Sequence, residues 1–136
     1  MSGFRLHPRL AADCAVVGEG PLSRFLLLDD RRYPWLILVP RIDGVTGLHE
    51  LDVPARGTLM DECCRAARAL ESLYAPDRVN VGALGNLVPQ LHLHVIARHE
   101  GDPAWPGPVW GHSDPESYAP ADRAKRLAAL RDALKF

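Results

Sequence analysis

Gln90, His92 and His94 stand at alternate positions in Gln90-Leu91-His92-Leu93-His94-Val95-Ile96. Imidazole is the side chain whose charge changes near neutral pH, and it is also a good nucleophile. Two imidazoles on one rigid element can hold a phosphate, bind a metal, or supply a nucleophile with a neighbouring acid. The stretch alternates at its start, fills the gaps with Leu, Val and Ile, and contains no glycine or proline, which predicts a β-strand. Side chains alternate faces along a strand, so Gln90, His92 and His94 are expected on one face, about 6.5–7 Å apart. Leu91, Leu93 and Val95 are expected on the other, turned to a core. The spacing alone fits a plain polar face, a metal pair or catalysis.

The preceding segment, Asn80-Val81-Gly82-Ala83-Leu84-Gly85-Asn86-Leu87-Val88-Pro89, favours a ligand site. Its glycines permit tight backbone and close approach of a ligand. Asn80 and Asn86 bring neutral amide donors suited to phosphate or ribose oxygens. Together, Gly85 to Ile96 resembles the signature of the histidine triad (HIT) family, in which a Gly-Gln-Ser/Thr segment runs into His-x-His-x-His and two apolar residues. Arg98 and Gly101-Asp102 also sit where many relatives have similar residues, and the resemblance covers roughly residues 13–112.

The rest of the chain must position these residues. A chain of 136 residues suits a single domain over 1–136, with a core over about 13–112 and a C-terminal helix over about 120–136. A net charge of −1 gives no sign of a sequence-independent nucleic-acid binder. There is no long apolar run and no signal-peptide core in residues 1–12, so no membrane partner is expected and the location is read as cytoplasmic. Cys14, Cys63 and Cys64 form no CxxC pair and read as reduced, packed thiols. Residues 1–12 predict a short entry turn or helix, with His7 on the surface. Strands are expected over Cys14–Gly18, Arg24–Leu28, Trp35–Pro40 and from Arg78 to Val81. Asp52 predicts the N-cap of a helix running to about Tyr74, whose Leu59, Cys63, Ala66 or Ala67, and Leu70 recur at helical spacing. Glu100 to Gly111 is too rich in proline and glycine for a regular element. Such a loop with Trp105 and Trp110 covers a site, a partner subunit or the flank of the core. The final helix is amphipathic, with Ala124, Leu127 and Leu134 on one stripe that buries against this sheet or a second subunit. This order reads as α+β: about five antiparallel strands packed with one main helix and a C-terminal helix.

The resemblance implies more. It implies a nucleotide hydrolase or transferase acting on dinucleoside polyphosphates or nucleoside phosphoramidates, and a homodimer. His92 would be the nucleophile that takes the α-phosphorus, giving a nucleotidyl-histidine. His94 would contact phosphate oxygens or the leaving group and, if protonated, stabilise developing charge. Asn80, Gly85 and Asn86 would orient phosphate, and Asp29 or Asp30 would bind the ribose hydroxyls unless they only cap a turn. No cofactor is required on this reading, because imidazolium and amide donors replace a metal. The departures are Gln90 in the first triad position, Trp35 where relatives commonly carry a further His, and Leu87 in place of a Ser/Thr. They leave a nucleotide-binding module with little catalysis as one alternative. A metal site of His92 and His94 with His99 or His112 is another.

Overall fold

The computed structural model describes residues 3–136. A short helix α1 (Pro8–Asp13) leads into strands β1 (Cys14–Glu19), β2 (Ser23–Leu28) and β3 (Trp35–Pro40). A single 3-10 turn at Leu48–Glu50 precedes α2 (Val53–Tyr74), which is followed by β4 (Arg78–Gly82), β5 (Leu93–Arg98) and α3 (Pro120–Leu134). The strands form one antiparallel sheet in the order β1-β2-β3-β5-β4. The α+β reading of the sequence therefore holds. All six residues of β3 are buried, as expected of a central strand with an almost continuous apolar run.

Alternation along the strands builds two cores. On one face Phe25, Leu27, Leu36, Leu38, Leu93, Val95 and Ala97 pack with Leu59, Cys63, Ala66 and Leu70 of α2 and with Leu130 and Leu134 of α3. The Asp52 side chain caps α2 by accepting from the Ala55 amide at 2.9 Å, and Ala75 ends it in the left-handed region just before Pro76. The stripe of α3 is thus buried within its own chain. On the other face Leu26, Trp35, Ile37, Val39 and Ile96 pack with Leu10 of α1, Val88, Ala104 and Val109. Among the described residues no long helix covers this second face. α1 and two irregular segments cover it instead.

The expected strand over Gln90–Ile96 is displaced. β5 starts at Leu93, and Gln90 to His92 lie in the approach to it. The apolar half of the alternation persists, since Leu91, Leu93 and Val95 all enter the helix-side core. The hydrogen-bonded ladder to β3 begins only at the Leu38–Leu93 pair, which is why the first three residues are not strand. Among the described residues no helix is long and apolar enough to cross a membrane.

Candidate functional site

His92 and His94 lie side by side, their ring centroids 4.9 Å apart, on the face without long helices. Both are 7% exposed. They line a cleft of about 480 Å³ with Leu28, Ile37 and Trp35 from the sheet, Leu84 to Val88 from the β4–β5 connection, Trp110, and Arg9, Leu10 and Asp13 from α1. His92 also lines a second cavity of about 530 Å³ on the side of Thr46, Gly47 and His49. Gly85, at φ +75°, takes a backbone conformation that suits glycine and lets the connection turn between the two cavities.

The two imidazoles are held in opposite ways. His92 Nδ1 is 2.7 Å from the backbone carbonyl of Gln90. A carbonyl only accepts, so this Nδ1 carries the proton and Nε2 keeps its lone pair. Among the described residues Nε2 has no protein partner. Burial pushes the His92 pKa down against the pull of the Gln90 carbonyl, and His7 adds to the lowering. His92 is therefore neutral at pH 7. His94 Nδ1 instead accepts from the Trp35 indole Nε1–H at 2.9 Å. Burial, with the neighbouring His92 adding to it where that ring is protonated, pushes the His94 pKa down to about 3. Edge-on contacts to Trp35 and Trp110, at 5.7 and 5.5 Å between centroids, fix its ring plane.

Not every residue marked in the sequence reaches this cleft. Gly85 and Asn86 line it. The Gln90 side chain turns away, accepting from the His7 amide at 2.8 Å and donating to the Arg5 carbonyl at 2.9 Å. It fastens the N-terminal segment, and its main chain, not its amide, touches His92. His7 is accordingly half-buried as the N-cap of α1 rather than a free surface residue. Asn80 accepts from Arg98 Nη1 at 2.8 Å on the far edge of the sheet. Asp30 is buried in a two-pronged pair with Arg32, at 2.9 Å from both Nε and Nη2. Asp29 accepts from the Tyr118 amide at 3.0 Å. With Arg32 bonded to Ser113 and to the Asp114 carbonyl, both aspartates anchor the segment leading to α3. His99 is engaged by the Tyr74 carbonyl and His112 by Ser113, so neither joins the histidine pair. Among the described residues no group of three His, Cys, Asp or Glu is placed to hold a metal ion.

The sequence reading missed Arg9 and Asp13, the charged residues that line the cleft. Nothing in a six-residue helix marks them in advance, except that an i, i+4 pair shares a face. It also missed the Trp35 hydrogen bond. The β3–β5 register pairs Ile37 with His94 and Trp35 with Ile96, which puts Trp35 diagonal to His94 on the same face. Trp110 is carried to the cleft by the loop after β5. That loop is locked to the sheet by Arg98, whose Nε and Nη2 lie 2.8 and 2.9 Å from the Asp102 carboxylate. Cys14 is no rival nucleophile, because burial, with Asp13 and Asp29 nearby, pushes its thiol up to about 12.

A family model described as the HIT domain matches residues 9–101. A solved histidine triad protein from Bradyrhizobium japonicum is 44% identical, with a TM-score of 0.93 over 96% of this chain and 98% of that one. One from Marinobacter aquaeolei is 45% identical, with a TM-score of 0.94 over 97% and 96%. One from Sinorhizobium meliloti is 40% identical, with a TM-score of 0.94 over 96% and 97%. No curated protein gave a match.

Proposed function

This chain belongs to the histidine triad family, and from that premise we propose that it is a nucleotide hydrolase or transferase cleaving at the α-phosphate of a substituted nucleoside phosphate. The observation that carries the reading is the 2.7 Å bond between His92 Nδ1 and the Gln90 carbonyl. It leaves Nε2 of a neutral imidazole free to react in a walled cleft, which is the state a histidine nucleophile needs. Nε2 attacks the α-phosphorus, the leaving group departs, and the charge on the nucleotidyl-His92 ring is shared with the Gln90 carbonyl through Nδ1–H. Water or another acceptor then releases the nucleotide. His94 donates from Nε2–H to a phosphate oxygen or to the leaving oxygen.

Gly85 and Asn86 support phosphate binding by their place on the cleft wall. The carboxylate expected at the ribose is better supplied by Asp13, which lines the cleft, than by Asp30, whose two oxygens are bonded to Arg32, or by Asp29, whose Oδ1 accepts from the Tyr118 amide. Gln90 serves as a positioning residue, through its carbonyl to His92 and its amide to the N-terminal segment. A homodimer and a cytoplasmic location belong to the same reading. The dimer is supported by the outer edge of β4, which among the described residues pairs with no further strand, while Arg131 of α3 covers the β1 edge by donating to the Val16 and Val17 carbonyls.

The test is release of nucleoside monophosphate, with EDTA present, from a dinucleoside polyphosphate and from an adenosine phosphoramidate. Trapping of a nucleotidyl-protein, absent in His92→Ala, is the companion readout. Tight nucleotide binding with neither release nor trapping would replace hydrolysis by a nucleotide-binding role.

A further inference from the structure

On the hydrolase reading above, we propose that Trp35 sets the proton arrangement of the site and thereby its substrate class. Trp35 holds His94 as a neutral Nε2–H donor. The site therefore cleaves phosphoanhydrides, whose leaving oxygen departs as an anion. It discriminates against phosphoramidates, whose nitrogen must take a proton as the P–N bond breaks.

An indole N–H donates and has no lone pair with which to accept. The 2.9 Å contact from Trp35 Nε1 therefore requires a lone pair on His94 Nδ1, and the single proton of the neutral ring sits on Nε2. Making the imidazolium would add a proton at Nδ1, against the indole N–H. Two donors would then face each other between side chains only 6% and 7% exposed, and a cation would be buried as well. The surroundings offer little to offset that. β2 and β3 bring Leu28 and Ile37 to the cleft, Trp110 closes one side, and β4 sets Gly82 opposite His94. The titratable neighbour in ring contact is His92, with His7 beyond it, and a charge on either opposes a second one. Asp13 is the acid that lines the cleft, and it lies 3.8 Å from Arg9.

The chemistry follows from that proton count. The Nε2 lone pair of His92 forms the bond to the α-phosphorus, and the P–O bond breaks with its electron pair on the leaving oxygen. A nucleoside di- or triphosphate oxygen is stable with that pair near neutral pH, so a hydrogen bond from His94 suffices and no proton changes hands. Water then forms the new P–O bond, the P–N bond breaks with its pair returning to His92 Nε2, and the proton from water goes to solvent. In a phosphoramidate the first step would place the pair on a strongly basic nitrogen. A neutral imidazole N–H is too weak an acid to protonate it. Arg9, the cation that lines the cleft, adds positive charge suited to a polyphosphate leaving group.

The experiment compares kcat/KM for diadenosine tetraphosphate and adenosine 5′-phosphoramidate, in the wild type and in Trp35→Phe and Trp35→His, from pH 5.5 to 8.5. Nitrogen-15 spectra report the His94 tautomer in the same samples. The expected result is a wild-type preference for the anhydride of about a hundredfold or more, the scale of a missing general acid. His94 should show Nε2–H with no titration step in this range. Trp35→Phe frees Nδ1 to carry a proton, lets the Nδ1–H tautomer form, raises the His94 pKa from the low value that burial still holds down, and lowers the preference by about tenfold or more, chiefly at the acid end of the range. Trp35→His, which restores an imidazole, shifts it the same way. Equal kcat/KM for the two substrates in the wild type, or a His94 imidazolium at pH 6, overturns the proposal, and neither measurement depends on the variants folding. Release from neither substrate overturns the hydrolase reading and the substrate class with it, whereas the tautomer spectra test the Trp35–His94 arrangement on their own.

Discussion

The two faces of the sheet use the same strands for different ends. On the helix side Leu93, Val95 and Ala97 of β5 meet a continuous stripe from α2 and α3. On the cleft side the intervening His94, Ile96 and Arg98 meet α1, the β4–β5 connection and the loop after β5. A long helix covers its face with one repeating apolar pattern. Short irregular segments cover theirs piecewise, each fastened by a polar lock, and the gaps between them are the cleft. The helix face should therefore govern stability with little effect on chemistry, and the cleft face the reverse, except where a lock is buried.

The sharpest separation is at His92. On the proposed mechanism His92→Ala removes the nucleophile, yet among the described residues it breaks one hydrogen bond, to the Gln90 carbonyl. Nucleotide release should fall by at least about a thousandfold, while the denaturation midpoint moves little. A residual rate above a tenth of wild type would mean that another group attacks phosphorus.

Arg98 is where the separation should fail, because it is a lock on the cleft face that is itself 1% exposed. Arg98→Ala leaves the Asp102 carboxylate buried and unpaired, a loss of about 3–5 kcal/mol in urea unfolding. It should also release Trp110 from the cleft wall. Burial acts to raise the Asp102 pKa, but the Arg98 guanidinium with the His99 and Trp105 amides outweighs it and holds the carboxyl below its usual range. The native state thus holds the ionised form more strongly than the unfolded chain does. That stability is complete above the ordinary carboxylate range near pH 4 and is lost as pH falls through the lowered native value. The alanine variant should have a flatter acid limb than the wild type.

Leu70→Ala tests the other side. Leu70 is fully buried in the α2 stripe, so truncation leaves a cavity and costs about 2–5 kcal/mol. Below its melting range the variant should keep kcat and KM within about twofold, since additivity holds between separated sites. A large change in KM would show that the two faces are coupled through β5.

What the sequence disclosed follows the same division. The α2 stripe, its Asp52 cap, the central β3 and the two histidines all rest on period and spacing, which a single chain displays. Asp30, Asn80 and the Gln90 amide lie away from the cleft because their partners, Arg32, Arg98 and the N-terminal segment, are chosen by tertiary contact. A carboxylate or amide next to a loop looks the same in sequence whether it faces a ligand or an arginine. Arg9 and Asp13 escaped for the converse reason. They reach the cleft because Leu10 is buried in the core, the Asp13 carbonyl accepts from the Asp29 amide, and Gln90 holds the segment before them, over a separation of 83 residues between His7 and Gln90.

That clasp supplies the smallest of the expected effects. Gln90 accepts from the His7 amide and donates to the Arg5 carbonyl, so Gln90→Ala forfeits two hydrogen bonds at a partly exposed site, about 1–3 kcal/mol in all. The loss is local, because Leu10 still packs into the cleft-side core, with Phe4 and Leu6 against it, and the Gln90 carbonyl still holds His92. Residues 5–13 should exchange their amide hydrogens faster, while global unfolding shifts by less than the local figure. With the α1 wall loosened, KM should rise several-fold and kcat change less, the sign of lost binding rather than lost chemistry. Gln90→Glu separates the two bonds: its carboxylate can accept from His7 but repels the Arg5 carbonyl. It should therefore loosen residues 5–6 more than α1. If instead kcat falls as far as in His92→Ala, the Gln90 amide acts on the reacting atoms and the cleft face carries a third chemical group.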